Sequence, residues 1–230
     1  MTSELVALCL DAHDPAGLAR FWSVLLGWDV AVDGACAALV PPGGAGYRLG
    51  FVASREPKPG PNRIHLDLTS SSDGDQRRTV ARALELGARH LDFDLGPGER
   101  HVPLADPEGN ELCVIEADNR FLAGCGRIGA INCEGTRQVG HFWSEALGWP
   151  LDWDQDEETA IQSPRGGTKI TWSGPPVAPR LGPDRQWFEL ATAGDLRDEV
   201  DRLVALGATR LDQETLADPD GNHFRVGHRA

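Results

Sequence analysis

The sequence predicts an α+β fold of four βαβββ units, and two observations carry that expectation. Long stretches recur in order: RFWSVLLGW (Arg20–Trp28) returns as HFWSEALGW (His141–Trp149), ALELGARHLD (Ala83–Asp92) as LVALGATRLD (Leu203–Asp212), and ADPEGNELCV (Ala105–Val114) as ADPDGNHFRV (Ala217–Val226). Within each copy, strand-like alternation gives way to helical spacing and then to short strand-like runs, twice over.

The elements follow in order. Glu4–Asp11 reads as a strand. Asp14 is placed to cap the next helix and Pro15 suits its first turn; Leu18, Phe21, Trp22, Leu25 and Leu26 recur at helical spacing, and Gly27 stops it. Strand candidates come next at Trp28–Val32, Cys36–Pro41 and Tyr47–Ser54, then REPKPGPN as a loop. RIHLDLT alternates, with Ile64, Leu66 and Leu68 on one face and His65 and Asp67 on the other. DGDQRRTVARALELG is a second helix, and short strands lead to ELCVIE. DPEGN and its copy DPDGN are turns: Asp106 and Asn110 can bond neighbouring backbone, Pro107 fixes its φ, and Gly109 permits a positive one. Half one has an extra Gly/Pro-bearing hairpin, LGPGERHV (Leu95–Val102), which carries His101. The expected division is a first domain over 1–118, a linker over 119–125 and a second domain over 126–230. Adjacent units are expected to share one curved sheet, with helices on its convex face and the concave face free for a ligand.

Composition narrows the function. The chain has 230 residues, 40% of them apolar and 25% charged, which suffices for a sizeable core. A net charge of -13 speaks against nucleic acid and anionic membranes, which demand basic surface. No apolar run reaches about 18 residues, and MTSELVALCLDAHD lacks the basic start of a signal peptide. Five cysteines without a CxxC pair suit a reduced, cytoplasmic protein. No nucleophile elbow, P-loop or dinucleotide fingerprint is present. The acidic run DWDQDEE (Asp152–Glu158) lacks the Gly and closing Glu of an EF-hand loop and reads as a solvated hairpin.

In half one, DAHDPAGLARFWSVLLGW, PKPGPNRIHLDL, ALELGARHL and LADPEGNELCV carry a resemblance, as do TRQVGHFWSEALGW, GPDRQWFEL, ALGATRL and LADPDGNHFRV in half two. The sequence resembles the vicinal oxygen chelate superfamily, the glyoxalase/bleomycin-resistance/extradiol-dioxygenase fold, and more narrowly the glyoxalase-like domain family. The resemblance covers nearly the whole chain and implies two tandem glyoxalase-like domains with curved sheets. It does not fix the reaction, because this fold hosts isomerases, dioxygenases, epimerases, thiol transferases and metal-free drug-binding proteins. Its metalloenzymes place His, Gln or Glu at matched positions of first and last strands. Carried onto this chain, those positions fall near Ala7 and at His65 and Cys113 in half one, and near Ile128 and at Trp187 and Arg225 in half two. His65 suits a metal and Cys113 does so more weakly; an arginine would repel one. The expectation is therefore no cofactor, with a divalent metal (Fe, Ni, Co, Zn or Mn) in domain 1 only as the alternative.

Alternation predicts His65, Asp67, Glu111 and Cys113 on the concave face of half one, joined by Phe51 and overhung by His101. In half two the equivalents are Trp172, Trp187, Glu189, His223 and Arg225. Apolar walls with a few polar groups suit a small organic molecule, and indole faces suit planar rings or cations. The expected function is a small-molecule-binding protein of the glyoxalase/bleomycin-resistance type, metal-free, a pseudo-twofold monomer or homodimer, with no nucleic-acid or membrane partner. The alternative is an isomerase, lyase or dioxygenase-type enzyme centred on His65, metal-assisted or with His65 as a general base that Asp67 orients.

Overall fold

The computed structural model describes residues 3–33, 36–44, 46–92, 96 and 98–228. Unit one is β1 (Glu4–Ala12), α1 (Pro15–Leu26), β2 (Asp29–Asp33), β3 (Cys36–Val40) and β4 (Arg48–Ala53). Unit two is β5 (Ile64–Leu68), α2 (Asp73–Glu85), β6 (Arg89–His90), β7 (Val102–Ala105) and β8 (Glu111–Val114). Unit three is β9 (Ile128–Cys133), α3 (Arg137–Leu147), β10 (Leu151–Gln155), β11 (Glu158–Gln162) and β12 (Lys169–Trp172). Unit four is β13 (Gln186–Thr192), α4 (Leu196–Leu206), β14 (Thr209–Arg210), β15 (Thr215–Ala217) and β16 (His223–His228). Helix α1 starts and stops where its residues dictate: the Asp14 side chain accepts from the Gly17 N–H, and Gly27 closes the helix at φ 71°, where a side chain would be strained. Leu95 and Pro97 of the extra hairpin lie outside the described residues, and Gly98–His101 leads directly into β7.

The pairing follows the sequence expectation for units two and three, which are adjacent in the chain, and departs from it for units one and four. Unit one shares an eight-stranded sheet with unit four, in the order β14-β15-β16-β13-β1-β4-β3-β2, and unit two shares one with unit three, in the order β10-β11-β12-β9-β5-β8-β7-β6. Neither sheet is built by the two units of one half. The antiparallel seams are β1 with β13 and β5 with β9. The reason is that each half is joined through its helix-covered side instead. Trp22 of α1 donates its indole N–H to the buried Asp106 carboxylate at 3.1 Å, and Trp143 of α3 does the same to Asp218 at 3.2 Å. That leaves β1 and β5 with open edges, and an unpaired edge must find a partner.

The same contacts explain why the chain repeats its DP(E/D)GN turn. Asp106 Oδ1 accepts from the backbone N–H groups of Glu108 and Asn110, each at 2.9 Å, and Oδ2 takes the Asn110 side-chain amide and the indole. One carboxylate thus holds a tight turn and docks the helix of the neighbouring unit.

Strand alternation sorts the faces. Leu8, Leu10, Leu49 and Leu66 join the helix residues Leu18, Phe21, Trp22, Phe142 and Trp143 in one continuous core. Phe51 and Trp172 belong to that core as well, 0% and 1% exposed, so neither lines a concave face as the sequence reading expected. Phe51 stands opposite Leu10 in the β1–β4 register, and Trp172 opposite Cys133 in the β12–β9 register, both among core-facing residues. A register shift between Asp67 and Leu68 turns Ile128 into the core too and leaves Ala130 and Asn132 on the concave side. Among the described residues, no helix is long and apolar enough to cross a membrane.

Candidate functional site

The concave face of the second sheet gathers the polar residues. Parallel pairing of β5 with β8 sets Asp67 beside Cys113, and antiparallel pairing with β9 sets His65 beside Asn132. His65 Nε2 lies 3.4 Å from Asp67 Oδ1. One donor atom each from His65, Asp67 and Cys113 lie within 4.8 Å of one another. Burial opposes charge on the imidazole, but the hydrogen bonds it donates to Asp67 and Cys113, with the electrostatic attraction of the same two groups, outweigh it, raising the His65 pKa to about 10. At neutral pH His65 is an imidazolium. An imidazolium donates hydrogen bonds; to act as the general base that the sequence alternative assigned to it, His65 would first have to give up that proton.

An apolar wall stands beside this cluster. Ile115, Leu122 and Ala130 form a small buried group against which Cys113 packs. Leu122 comes from the segment that connects the halves. That segment is latched at Lys169, whose Nζ donates to the Phe121 carbonyl at 2.6 Å and to Asp152 at 2.5 Å while resting 4.1 Å from the Phe121 ring centroid. The sequence reading missed Asn132, Leu122 and Lys169 because they reach this cup only through the unit two–unit three seam. The one available signal was a polar Asn within the apolar run RIGAINC. The Asn132 side chain has no hydrogen-bond partner among the described residues, and the buried Thr171 Oγ1, next to it in register, has none either.

Two residues assigned to this pocket from sequence bond other partners. Glu111 anchors the Pro-rich loop: one oxygen takes Lys58 Nζ at 2.6 Å and the other the Asn62 N–H at 3.2 Å. Its carboxylate is committed to holding Arg55–Asn62 against β8. His101 bonds Glu99 through Nδ1 at 3.1 Å and is not a member of the His65 cluster.

The concave face of the first sheet is more closed. Trp187, Cys9 and Ala7 form a buried group with Val52 against it. Trp187 donates to Glu189 at 3.4 Å, and the Arg225 guanidinium lies 5.0 Å from the indole. Burial, reinforced by the nearby Glu189 carboxylate, pushes the Cys9 thiol pKa far above its ordinary value, so this sulfur is an inert packing group. Trp187 thus links Glu189, by a hydrogen bond, and Arg225, by its ring face, and the exposed His223 gives its backbone N–H to Asp184.

A family model described as "Glyoxalase-like domain" matches this chain twice, over residues 7–115 and 129–227. Comparison with curated proteins gave no match. Among solved structures, the V278E mutant of glyoxalase I from Zea mays superposes with a TM-score of 0.70 at 13% identity, over 99% of this chain and 92% of that one. The unmutated Zea mays glyoxalase I gives 0.68 at 12% identity, over 99% and 92%. A candidate dioxygenase from Bacillus subtilis gives 0.63 at 14% identity, over 98% and 84%. At these identities the likeness is one of fold.

Proposed function

Because the chain belongs to the glyoxalase-like domain family and gathers His65, Asp67 and Cys113 on one cup, we propose that it holds a small organic molecule on the concave face of the second sheet. The observation that carries this is a compact polar cluster set against an apolar wall of Ile115, Leu122 and Ala130. Such a surface suits a molecule with a polar end and a short apolar body. The imidazolium of His65 and the free amide of Asn132 favour an acceptor oxygen at the polar end, as in a carboxylate or carbonyl. Short-chain 2-hydroxy and 2-oxo acids are the probes. The expected result is a saturable shift of the Asn132 side-chain amide resonances, weakened about tenfold or more in His65→Gln, the size of losing a charged hydrogen bond, and unchanged in Trp187→Ala. No saturable shift with any of these acids would overturn the reading.

A second reading is favoured by the donor set. Imidazole nitrogen, thiol sulfur and carboxylate oxygen within 4.8 Å fit zinc or another late first-row divalent ion, which takes such mixed ligands and leaves a position open. When bound, the ion would polarise a substrate oxygen, as lyase, isomerase or dioxygenase-type chemistry requires. His65, Asp67 and Cys113 would hold it, and binding would have to displace the imidazole proton, so affinity would rise steeply with pH. Elemental analysis after incubation with Zn(II), Fe(II), Co(II), Ni(II) or Mn(II) and desalting separates the readings. About one ion per chain, lost in both His65→Ala and Cys113→Ala, supports the metal; retention by either variant removes it.

A further inference from the structure

A crevice of ≈ 180 Å³ opens between two proline-bearing loops, Arg55–Asn62 and the segment Ser173–Asp184, and runs inward to Ile64 and Gln186. It is not part of either cup. Trp187 faces the concave side of the first sheet, so its neighbour Gln186 faces the helix-covered side, opposite Leu10 in the strand register. The rim is tightly built. A Cβ on Gly182 would lie 2.9 Å from Cγ and 3.0 Å from Cβ of the rigid Pro59 ring, so the second loop needs a glycine there to seat against the first, while Leu181 closes over Gly60 from the other side. Lys58 and Glu111 pin the first loop. The second is held by Arg63, which donates to the Ala178 carbonyl at 2.8 Å, and by Glu134, which accepts from the Ala178 N–H at 3.1 Å.

Most charge on the walls is spent within the protein. Arg63 also bonds Asn222 at 2.7 Å, and Arg180 is paired with Asp184. Two buried groups are left over. Gln186 is 7% exposed, and its carboxamide has no hydrogen-bond partner among the described residues. Arg185 is 6% exposed; its two terminal nitrogens donate to the carbonyls of Glu56 and Asp11, at 2.6 and 2.9 Å, and its Nε–H has no partner. Buried polar groups are costly unless something bonds them.

We propose that this crevice binds a small cyclic or aromatic amide, a ring bearing an N–H beside a C=O, against Gln186. A carboxamide presents a donor and an acceptor side by side, and the edge that satisfies both is another amide. The ligand carbonyl accepts from Gln186 Nε2 and its N–H donates to Oε1, with Arg185 Nε–H as a further donor to the carbonyl. A carboxylate would satisfy the donors but face Oε1 with another acceptor, and a hydrocarbon would satisfy nothing. The size is right for one ring, since an apolar cavity of about 150 Å³ accepts benzene, and the proline faces offer the ring flat apolar walls.

The test uses the full chain and three probes of one shape: benzamide, benzoate and toluene. Binding is read from the side-chain amide resonances of Gln186, assigned by their disappearance in Gln186→Leu, and from the thermal midpoint. Benzamide at millimolar concentration is expected to shift those resonances and raise Tm, with benzoate and toluene at least about tenfold weaker, the weight of one unmatched buried polar group. Gln186→Leu is expected to stay folded, with Tm at or above the parent, and to lose benzamide binding. His65→Ala is expected to keep it, so failure of the His65 cup as a ligand site leaves this result standing. Unshifted Gln186 resonances with all three probes, equal response to benzoate, or unchanged benzamide affinity in Gln186→Leu would each overturn the proposal.

Discussion

His65 draws its character from two neighbours on the same sheet face. Asp67 and Cys113 lift its pKa from 6.5 to about 10 against the opposing effect of burial. A group whose pKa is raised on folding contributes stability that is complete below its unfolded value and disappears as pH climbs through the folded one. His65 should therefore stabilise the fold fully below pH 6.5, with the contribution fading up to about pH 10. Urea denaturation of the parent and His65→Gln across that range should show their difference shrinking as pH rises. Its size will be modest, because the imidazole is 34% exposed and partly screened by solvent. A His65 imidazole that titrates below pH 7 by NMR would contradict this account.

At the scale of elements, the docking of α1 on the Asp106 turn is the contact that makes two units into a half. Trp22→Phe keeps an aromatic ring in the core, smaller than the indole, and removes the N–H that Asp106 accepts. A buried hydrogen bond to a charged group is worth about 1.5–3 kcal/mol, so the denaturation midpoint should fall by that much at unchanged m-value. Trp143→Phe should cost a similar amount, because Asp218 is held by the same set of partners. A loss under about 0.5 kcal/mol in both would mean that ring packing alone docks the helices. The Arg55–Asn62 loop makes a related point. Its conformation is set by Glu111, on β8 and past four intervening elements of the chain, whose two oxygens are taken by Lys58 and the Asn62 N–H.

For the whole molecule, the seams β1–β13 and β5–β9 decide how the chain behaves when divided. A fragment covering 1–118 would retain its helix packing but expose the inner edges of both β1 and β5. Exposed edges of this kind seek partners. The fragment is expected to associate with itself, unit one of one copy pairing with unit two of another, which restores eight-stranded sheets. Sedimentation analysis should find a dimer or larger assembly; a stable monomer at high concentration would mean that the seams contribute little. The same seams make the candidate site a joint product of the halves, since His65, Asp67 and Cys113 come from one and Asn132 and Thr171 from the other.

The unit pattern, the helix caps, the turn chemistry and the convergence of His65, Asp67 and Cys113 were legible in the sequence. Each depends on local rules: alternation along one strand, spacing along one helix, and a turn that demands particular residues. Which units share a sheet was not legible, because either pairing satisfies the same local pattern and only packing between distant segments chooses between them. That choice brought Asn132 to His65, and a one-residue shift of register at Gly129 turned Ile128 into the core; Phe51 and Trp172 were placed there by the registers within their own units. The crevice at Gln186 likewise exists only because two loops far apart in the chain interlock. Local sequence determined what each strand could offer on its two faces; tertiary structure decided what those faces meet, since strand partners and loop contacts are set by long-range burial that no single segment encodes.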